Sequence, residues 1–227
     1  MLHAPTTTTE LVLSICSVGE PELIVLGPRT RALYYEPNAA PLAPRFRLTP
    51  GQARAVLGVP LTALADRVVP LTELPAADAR QLAHGWLGAP ADPGAVLHPY
   101  LARAAPAADR ETRWIDAAAA RLVGMPERPA ESVAAVADAL GVSERHLRNR
   151  FAAAVGVSPK HYARIQRVRR VLADLGSAPW AQLAAQAGFY DQSHLGREFR
   201  RLMGVAPGAF AAGRTPAPQR CATTKTA

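Results

Sequence analysis

The chain has 227 residues, of which 49% are hydrophobic, and this is enough to bury a core in one large or two modest domains. Its two cysteines, Cys16 and Cys221, have no CxxC or metal-type spacing, which excludes a disulfide framework and fits a reducing compartment. The chain opens without a basic and apolar leader, and no run approaches the roughly 18 apolar residues of a membrane span. We therefore expect a cytoplasmic protein with no membrane partner, no metal and no cofactor.

The formal net charge of +8 is distributed unevenly along the chain. Residues 1–110 carry nine basic and nine acidic side chains, whereas residues 111–227 carry seventeen basic and nine acidic ones. Such asymmetry is typical of a polyanion-binding domain joined to a neutral domain. A genome that encodes arginine freely would give a similar composition, so charge alone leaves both interpretations open.

Short apolar or alternating runs predict a β-rich beginning. They are TELVLSIC, PELIVLG, RALYYEP and APRFRLT, between residues 9 and 49. After Pro50 the spacing changes, and GQARAVLG, PLTALADRVV and AADARQLAHGWL are typical of short helices. The stretch 88–110 is rich in Ala, Pro and Gly without a sustained period, which predicts a linker.

Beyond residue 110 the pattern is helical throughout. TRWIDAAAARLV precedes ESVAAVADALG, whose apolar residues fall on one helical face. After the short turn GVS, Ser143 is a favourable N-cap for ERHLRNRFAAAV. Ser158 and Pro159 then open SPKHYARIQRVRRVLADLG, which closes on Gly176. This last helix is long enough to act as a rigid spacer.

The pair of helices before the spacer is repeated after it. APWAQLAAQAG, the turn FYD with Asp191 as N-cap, and QSHLGREFRRL follow the same order of elements. HLRNRFAAAVGVSP and HLGREFRRLMGVAP share His, Leu, Phe, Gly, Val and Pro at equivalent positions, and Gly141 and Gly188 occupy equivalent turns. The sequence therefore predicts two helix-turn-helix units joined by one long helix.

The second helix of each unit presents polar side chains opposite its apolar stripe. At 100° per residue, burying Leu147 and Phe151 turns Arg145, Arg148 and Asn149 outward. Arginine can bond guanine bidentately and asparagine can bond adenine in the major groove, although most arginine-rich faces are merely solvated. The duplication favours DNA reading, because two equivalent helices on a rigid spacer can enter successive major grooves about 34 Å apart.

VADALGVSERHLRNRFAAAVGVSPKHYARIQRVRR and LAAQAGFYDQSHLGREFRRLMGVAPGAF resemble the DNA-binding domain of AraC/XylS-type transcription regulators over about residues 111–213. The resemblance implies a regulator, most often an activator, that binds double-stranded DNA and contacts RNA polymerase. Gly196 stands where this family often has Ser, and Ala211 where it often has Arg. The DNA-binding residues expected from the outward faces and the resemblance are Arg145, Arg148, Asn149, Gln192, Ser193, His194, Arg197 and Arg200.

Residues 27–74 resemble an uncharacterised N-terminal domain fused to some of these regulators. In related regulators that part is often a cupin-like β-barrel that senses a small molecule or mediates dimerisation, which implies a small-molecule effector and a homodimer. The predicted fold is α+β with two domains. An abbreviated cupin-like barrel or sheet with short helices occupies 1–87, the linker 88–110, the all-α tandem helix-turn-helix domain 111–215, and a flexible tail 216–227.

Two other functions stay open at this stage. A non-specific architectural DNA-binding protein would have the same basic asymmetry, and Gly196 favours it because glycine offers no side chain to a groove. A cupin-like enzyme in the front half is disfavoured, because His3, His84 and His98 are isolated and the sequence has no HxH, Cys-His pair, GxSxG or phosphate-binding glycine loop. We therefore expect no enzymatic activity.

Overall fold

A computed structural model of the chain describes residues 2–14, 22–35, 45–75, 79–88, 93–104, 110–124 and 129–219. We call residues 2–104 the front part and residues 110–219 the C-terminal part. The strands, all in the front part, are β1 (Leu2–His3), β2 (Thr9–Ser14), β3 (Glu22–Leu26), β4 (Leu33–Tyr34), β5 (Arg45–Leu48) and β6 (Val68–Pro70). The front helices are α1 (Pro50–Leu57), α2 (Ala79–Gly88) and α3 (Pro93–Ala104), with 3-10 helices at Leu61–Leu64 and Leu71–Glu73.

The C-terminal part is helical over its described ranges. Its helices are α4 (Arg110–Val123), α5 (Val133–Ala139), α6 (Glu144–Val155), α7 (Pro159–Ala173), α8 (Trp180–Gln186), α9 (Gln192–Met203) and α10 (Pro207–Ala211). Across the described ranges of the chain, none of the helices combines the length and apolar character that a bilayer crossing requires.

The front part contains an open antiparallel sheet rather than a barrel. Its four strands run in the order β5-β2-β3-β6, and β1 pairs separately with β4. Leu11 lies opposite Val25 and Leu13 opposite Leu23, and all four side chains are buried. Neither sheet closes on itself within the described ranges, so the sheet alternative of the predicted fold is confirmed and the cupin-like barrel is not.

The segment PLTALADRVV was predicted to be a helix, and this prediction was wrong. It forms the 3-10 helix Leu61–Leu64 and then strand β6, with a turn between them at Asp66, whose φ of 58° lies in the left-handed region. β6 adds to the sheet edge by pairing Val69 with Val25. The apolar spacing that resembled a helix thus reflects two buried elements, each packed on the same core.

The stretch predicted as a linker contains helix α3. Leu97 and Tyr100 on this helix are buried in the front core beside Leu82 and Trp86 of α2. Helix α3 therefore packs with the front part, although Pro and Gly interrupt its sequence pattern. The predicted domain boundaries themselves stay predictions.

The predicted N-caps of the C-terminal helices are confirmed. The His146 backbone N–H donates to Ser143 Oγ at 3.2 Å and opens α6. Ser158 caps α7 in the same way, and the Asp191 carboxylate caps α9 by accepting from the His194 backbone N–H at 2.6 Å. These caps satisfy backbone donors that a helix leaves unpaired at its start, and so they fix where each helix begins.

Helix α7 packs in both cores of the C-terminal part. The first core joins α4, α5 and α6 around Ile115 and Phe151, with Tyr162 of α7 packed against it. The second joins α7, α8 and α9 around Phe199, with Ile165 and Val168 of α7 fully buried. The long helix is therefore a structural part of both helix-turn-helix units, as the predicted rigid spacer requires.

The front part is fastened to the C-terminal end of α9. The Ala32 backbone N–H donates to the Leu202 carbonyl, and the buried Tyr34 hydroxyl donates to the Met203 carbonyl, both at 2.7 Å. These acceptors are carbonyls of the last helical turn, which lack partners within the helix. The Tyr34 carbonyl in turn accepts from the Gln219 N–H at 2.7 Å, so the described beginning of the predicted tail is also held.

A second set of contacts joins the front part to α6 and α7. The Gln166 side chain donates to Thr7 Oγ1 at 2.8 Å, and Arg169 donates to the Pro5 carbonyl at 3.1 Å. Helix α6 packs on α1 and on the 3-10 helix Leu61–Leu64. The front and C-terminal parts therefore share an extensive interface.

We expect Gly156→Ala to destabilise the protein more than Gly141→Ala. Both glycines have left-handed φ angles, +87° and +66°, which cost an alanine about 1–2 kcal/mol. A Cβ on Gly141 meets open space, whereas one on Gly156 would lie 2.7 Å from Pro28 Cγ and 2.9 Å from the Leu61 carbonyl oxygen. Overpacking of this kind should add about 1–3 kcal/mol. Urea unfolding of both variants measures the difference, and equal losses would contradict the close packing at this interface.

We expect Gly196→Ala to stabilise the protein. Gly196 lies inside α9 with ordinary helical geometry, and a Cβ there meets nothing within 4 Å. Replacing glycine by alanine in a helix interior contributes about 0.5–1 kcal/mol. A rise in the urea midpoint at constant m-value would confirm this, and a fall would show that the position is more confined than the structure indicates.

Candidate nucleic-acid interface

The first candidate reading surface is the outer face of α6. Burial of Leu147 and Phe151, both fully inaccessible, orients this helix in the C-terminal part. Arg145, Arg148 and Asn149 are consequently exposed, as the spacing predicted. They project from the first turns of the helix, close to its capped N-terminus. The N-terminal turns of a recognition helix are the ones that reach base edges in a major groove.

Arg148 forms an ion pair with Glu144, one turn earlier on α6. The Arg148 and Glu144 side chains are 57% and 40% exposed, and solvent-accessible i, i+4 pairs contribute only about 0.3–0.5 kcal/mol. Arg145 forms no ion pair within the described ranges. Thus Arg145 is available to an anionic or guanine partner, and Arg148 becomes available at little energetic cost.

The second candidate reading surface is the outer face of α9. Leu195 and Phe199 are fully buried, which leaves Gln192, Ser193 and Arg197 exposed near the helix start. Arg200 is also exposed, further along the helix. Together these positions form a second polar and basic face, equivalent in placement to the face on α6.

His194 differs from the other predicted site residues on α9. Its ring is half-buried and packs edge-on against Phe189, with 5.4 Å between the ring centroids. The Tyr190 backbone N–H donates a long hydrogen bond of 3.5 Å to His194 Nδ1. These contacts hold the ring against the turn before α9, so His194 supports the start of the helix, while its contact with DNA stays a prediction.

Tyr190 is a candidate that sequence reasoning missed. Its side chain is 92% exposed in the turn between α8 and α9, directly before the Asp191 cap. In the segment GFYD two aromatic residues are adjacent, and the sequence alone does not distinguish the buried one. Phe189 takes the buried position, which leaves the Tyr190 side chain exposed two residues before the start of α9.

Two spacer arginines form structural contacts with backbone carbonyls. Arg167 donates to the Gly188 carbonyl at 3.2 Å and lies over the Phe189 ring, 5.2 Å from its centroid. Burial is the main cause of the lowered pKa of Arg167. Arg170 donates to the Gly124 carbonyl at 2.7 Å. The spacer therefore uses these two guanidinium groups to hold the ends of α4 and α8, rather than leaving them for phosphate.

In the front part, the features to consider are metal-binding groups and buried charges. Among the residues that the structure describes, His, Cys, Asp and Glu side chains form no group of three or more that could hold a metal ion. Glu10 of β2 is buried and forms ion pairs with Arg45 and Arg47 of the neighbouring strand, at 3.5 and 3.3 Å. These groups stabilise the pairing of β2 with β5.

Comparison with known proteins finds a matching domain model and a similar protein. A family model described as a helix-turn-helix domain matches residues 136–213, from within α5 to the end of α10. A Streptomyces antibioticus protein described as an AraC-like transcription regulator is 38% identical over 97 residues, which cover 40% of this chain and 32% of that protein. The chain thus spans about a third of the length of this curated relative.

A solved structure also matches the chain. It is the C-terminal domain of AraT, a response regulator from Geobacillus stearothermophilus, and it is 20% identical with a TM-score of 0.42. The match covers 52% of this chain and 100% of that domain. The family model carries the assignment, because its matched residues span both units described above. The C-terminal part of this chain is a helix-turn-helix domain of the AraC type.

Proposed function

We propose that the protein is a transcription regulator that binds double-stranded DNA sequence-specifically, with α6 and α9 entering successive major grooves. The observation that carries the proposal is the pair of equivalent exposed faces, with Arg145 and Asn149 on one and Gln192 and Arg197 on the other. An α-helix fits the major groove of B-DNA, and these side chains are the types that bond guanine and adenine edges.

The packing of α7 supports simultaneous use of both helices. Because α7 contributes to both cores, the two recognition helices have a fixed separation and relative orientation. Preorganisation of this kind lowers the entropic cost of binding two half-sites at once. A single chain can therefore read both half-sites, and DNA binding does not require a dimer.

Further parts of the proposal rest on the resemblance to AraC/XylS-type regulators. They are activation of transcription through contact with RNA polymerase, control by a small molecule and formation of a homodimer, all in the cytoplasm. Within the described ranges, β5 and β6 are the outer strands of the front sheet, and outer strands are of the kind that can join two copies.

A non-specific architectural DNA-binding protein is the second candidate. Gly196 favours it, because this position on the outer side of α9 has open space around it and no side chain to contact a base. In such a protein the arginines would contact phosphates alone, and affinity would depend on salt and not on sequence.

The test of the proposed function is binding of the full chain to duplex DNA from upstream of its own gene, compared with the same duplex shuffled. Fluorescence anisotropy over a salt series gives both affinity and its salt dependence. We expect the upstream duplex to bind at least about a thousandfold more tightly than the shuffled one. Equal and salt-labile binding of both duplexes would support the architectural alternative.

We expect Arg145→Ala and Arg197→Ala each to weaken binding of the specific duplex by about 1–3 kcal/mol, which is roughly 5- to 150-fold. Both side chains are exposed, so their removal should leave the unfolding free energy nearly unchanged. The matched control is Arg67→Ala, which removes the same charge. Arg67 is an exposed arginine of the front part, and it donates to the Ala63 carbonyl.

The comparison with shuffled DNA assigns the role of each arginine. If Arg145→Ala weakens both duplexes equally and lowers the salt slope by about one, Arg145 contacts a phosphate and not a base. If Arg67→Ala weakens binding as much as the two recognition-helix variants do, net charge rather than the two faces determines affinity.

A further inference from the structure

A polar cavity of about 320 Å³ lies where the front part meets the C-terminal part. Its lining comes from the loop after β3, from the start of α7 and from the end of α9, and includes Arg31, Ser158, His161, Arg164 and Arg201. We call it the junction cavity, and we infer that it binds a small anion that carries a phosphate group.

The charged groups around the junction cavity are predominantly positive. Arg31 and Arg201 are exposed and form no ion pair within the described ranges. Arg164 is largely buried and lies 3.7 Å from the Glu198 carboxylate, which neutralises part of its charge. The remaining positive charge exceeds what the neighbouring acidic groups balance, so an anion in the cavity would be stabilised electrostatically.

The Asp66 carboxylate of the front part already accepts hydrogen bonds from a residue of the cavity lining. Asp66 accepts hydrogen bonds from the backbone N–H and the hydroxyl group of Thr30, a lining residue of the junction cavity. Its negative charge is thereby partly satisfied within the loop. Asp66 positions Thr30 and Arg31 rather than competing with an incoming anion.

His161 contacts both Arg164 of its own helix and the loop that contains Thr30. Arg164 donates to His161 Nδ1 at 3.2 Å, and burial, followed by the Arg164 charge, lowers the pKa of His161. The imidazole is therefore neutral at pH 7, and since Nδ1 accepts, its proton resides on Nε2. That Nε2 atom is inaccessible to solvent, and a hydrogen bond with the Thr30 backbone acts in the opposite direction and raises the pKa of His161.

The Arg164 Nε–H is buried and unpaired within the described part of the chain, while the other two guanidinium nitrogens of Arg164 lie against His161 and Glu198. Because this atom is inaccessible to solvent, an anion in the cavity would meet the charge of Arg164 rather than this donor. The anion would contact the exposed guanidinium groups of Arg31 and Arg201, which line the cavity and form no ion pair within the described ranges.

The number and origin of the arginines favour phosphate over carboxylate. They come from three separate elements, and a tetrahedral phosphate presents more oxygens in more directions than a planar carboxylate does. The positive end of the α7 dipole adds to the potential, although Pro159 has no N–H and the His161 N–H is capped by Ser158. The cavity volume lies at the small end of the range for ligand sites, which suits a small phosphorylated molecule or free phosphate.

A bound phosphate would connect Arg31 of the front part with α7 and with Arg201 of α9. Its occupancy would thus stabilise the interface that holds the C-terminal end of a recognition helix. This inference does not require the chain to bind DNA, and it can be tested without DNA.

The test is isothermal titration of the full chain with inorganic phosphate and, separately, with ribose 5-phosphate, at constant ionic strength. We expect saturable binding to one site, weakened about tenfold or more by Arg31→Gln and by Arg201→Gln. Lys160→Gln is the matched control, because Lys160 is exposed on the first turn of α7 but does not line the cavity. Tighter binding of ribose 5-phosphate would identify an organic phosphate as the ligand class, and equal binding would identify free phosphate.

Three results would overturn the inference. The first is no saturable binding to the unmodified protein, and the second is equal weakening by all three substitutions, which would indicate general charge attraction. The third is that, in phosphate-free buffer, Arg31→Gln weakens duplex binding and lowers its salt slope by about one. That result would assign the cavity to the DNA backbone instead. Urea unfolding of each variant separates these outcomes from a loss of folding.

Discussion

The packing of α7 on both sides is the constraint on which the rest of the C-terminal part depends. Tyr162 contributes to the core of the first helix-turn-helix unit, and Ile165 and Val168 to the core of the second. The guanidinium groups of Arg167 and Arg170, both on α7, donate hydrogen bonds to backbone carbonyls at the ends of neighbouring elements. Any rotation of one unit against the other would therefore break apolar packing and hydrogen bonds together.

The C-terminal part could be predicted from sequence because its signals are local. Helices α5, α6, α7 and α9 begin at side-chain caps, such as Ser143 or Asp191, and the two proposed recognition helices end at glycines with left-handed φ angles, Gly156 and Gly204. These signals act within one helical turn and require no knowledge of distant partners. Because the same residues recur at the same spacing, the prediction of each unit supported the prediction of the other.

The front part was predicted less well because its structure depends on distant pairings. Strand β6 exists because Val69 pairs with Val25, which lies more than forty residues earlier, and nothing local marks it as a strand. Likewise α3 is stabilised by burying Leu97 against α2 rather than by its own sequence, which contains Pro99. The same limit applies at the candidate site. Phe189 is buried and packs against His194, and its burial left Tyr190 as the exposed aromatic residue of the turn.

The two recognition helices are equivalent in position but not in chemistry. Helix α6 presents Arg145, Arg148 and Asn149 from its first turns, whereas α9 has the bare Gly196 in the middle of its outer side. The front part contacts both helices at the opposite end, through Gly156 after α6 and through the Leu202 carbonyl of α9. These contacts lie at the ends of the helices opposite to the N-terminal turns that we propose enter the grooves. Because the two units share the packing of α7, a displacement of the front part would act on both helices through their C-terminal ends.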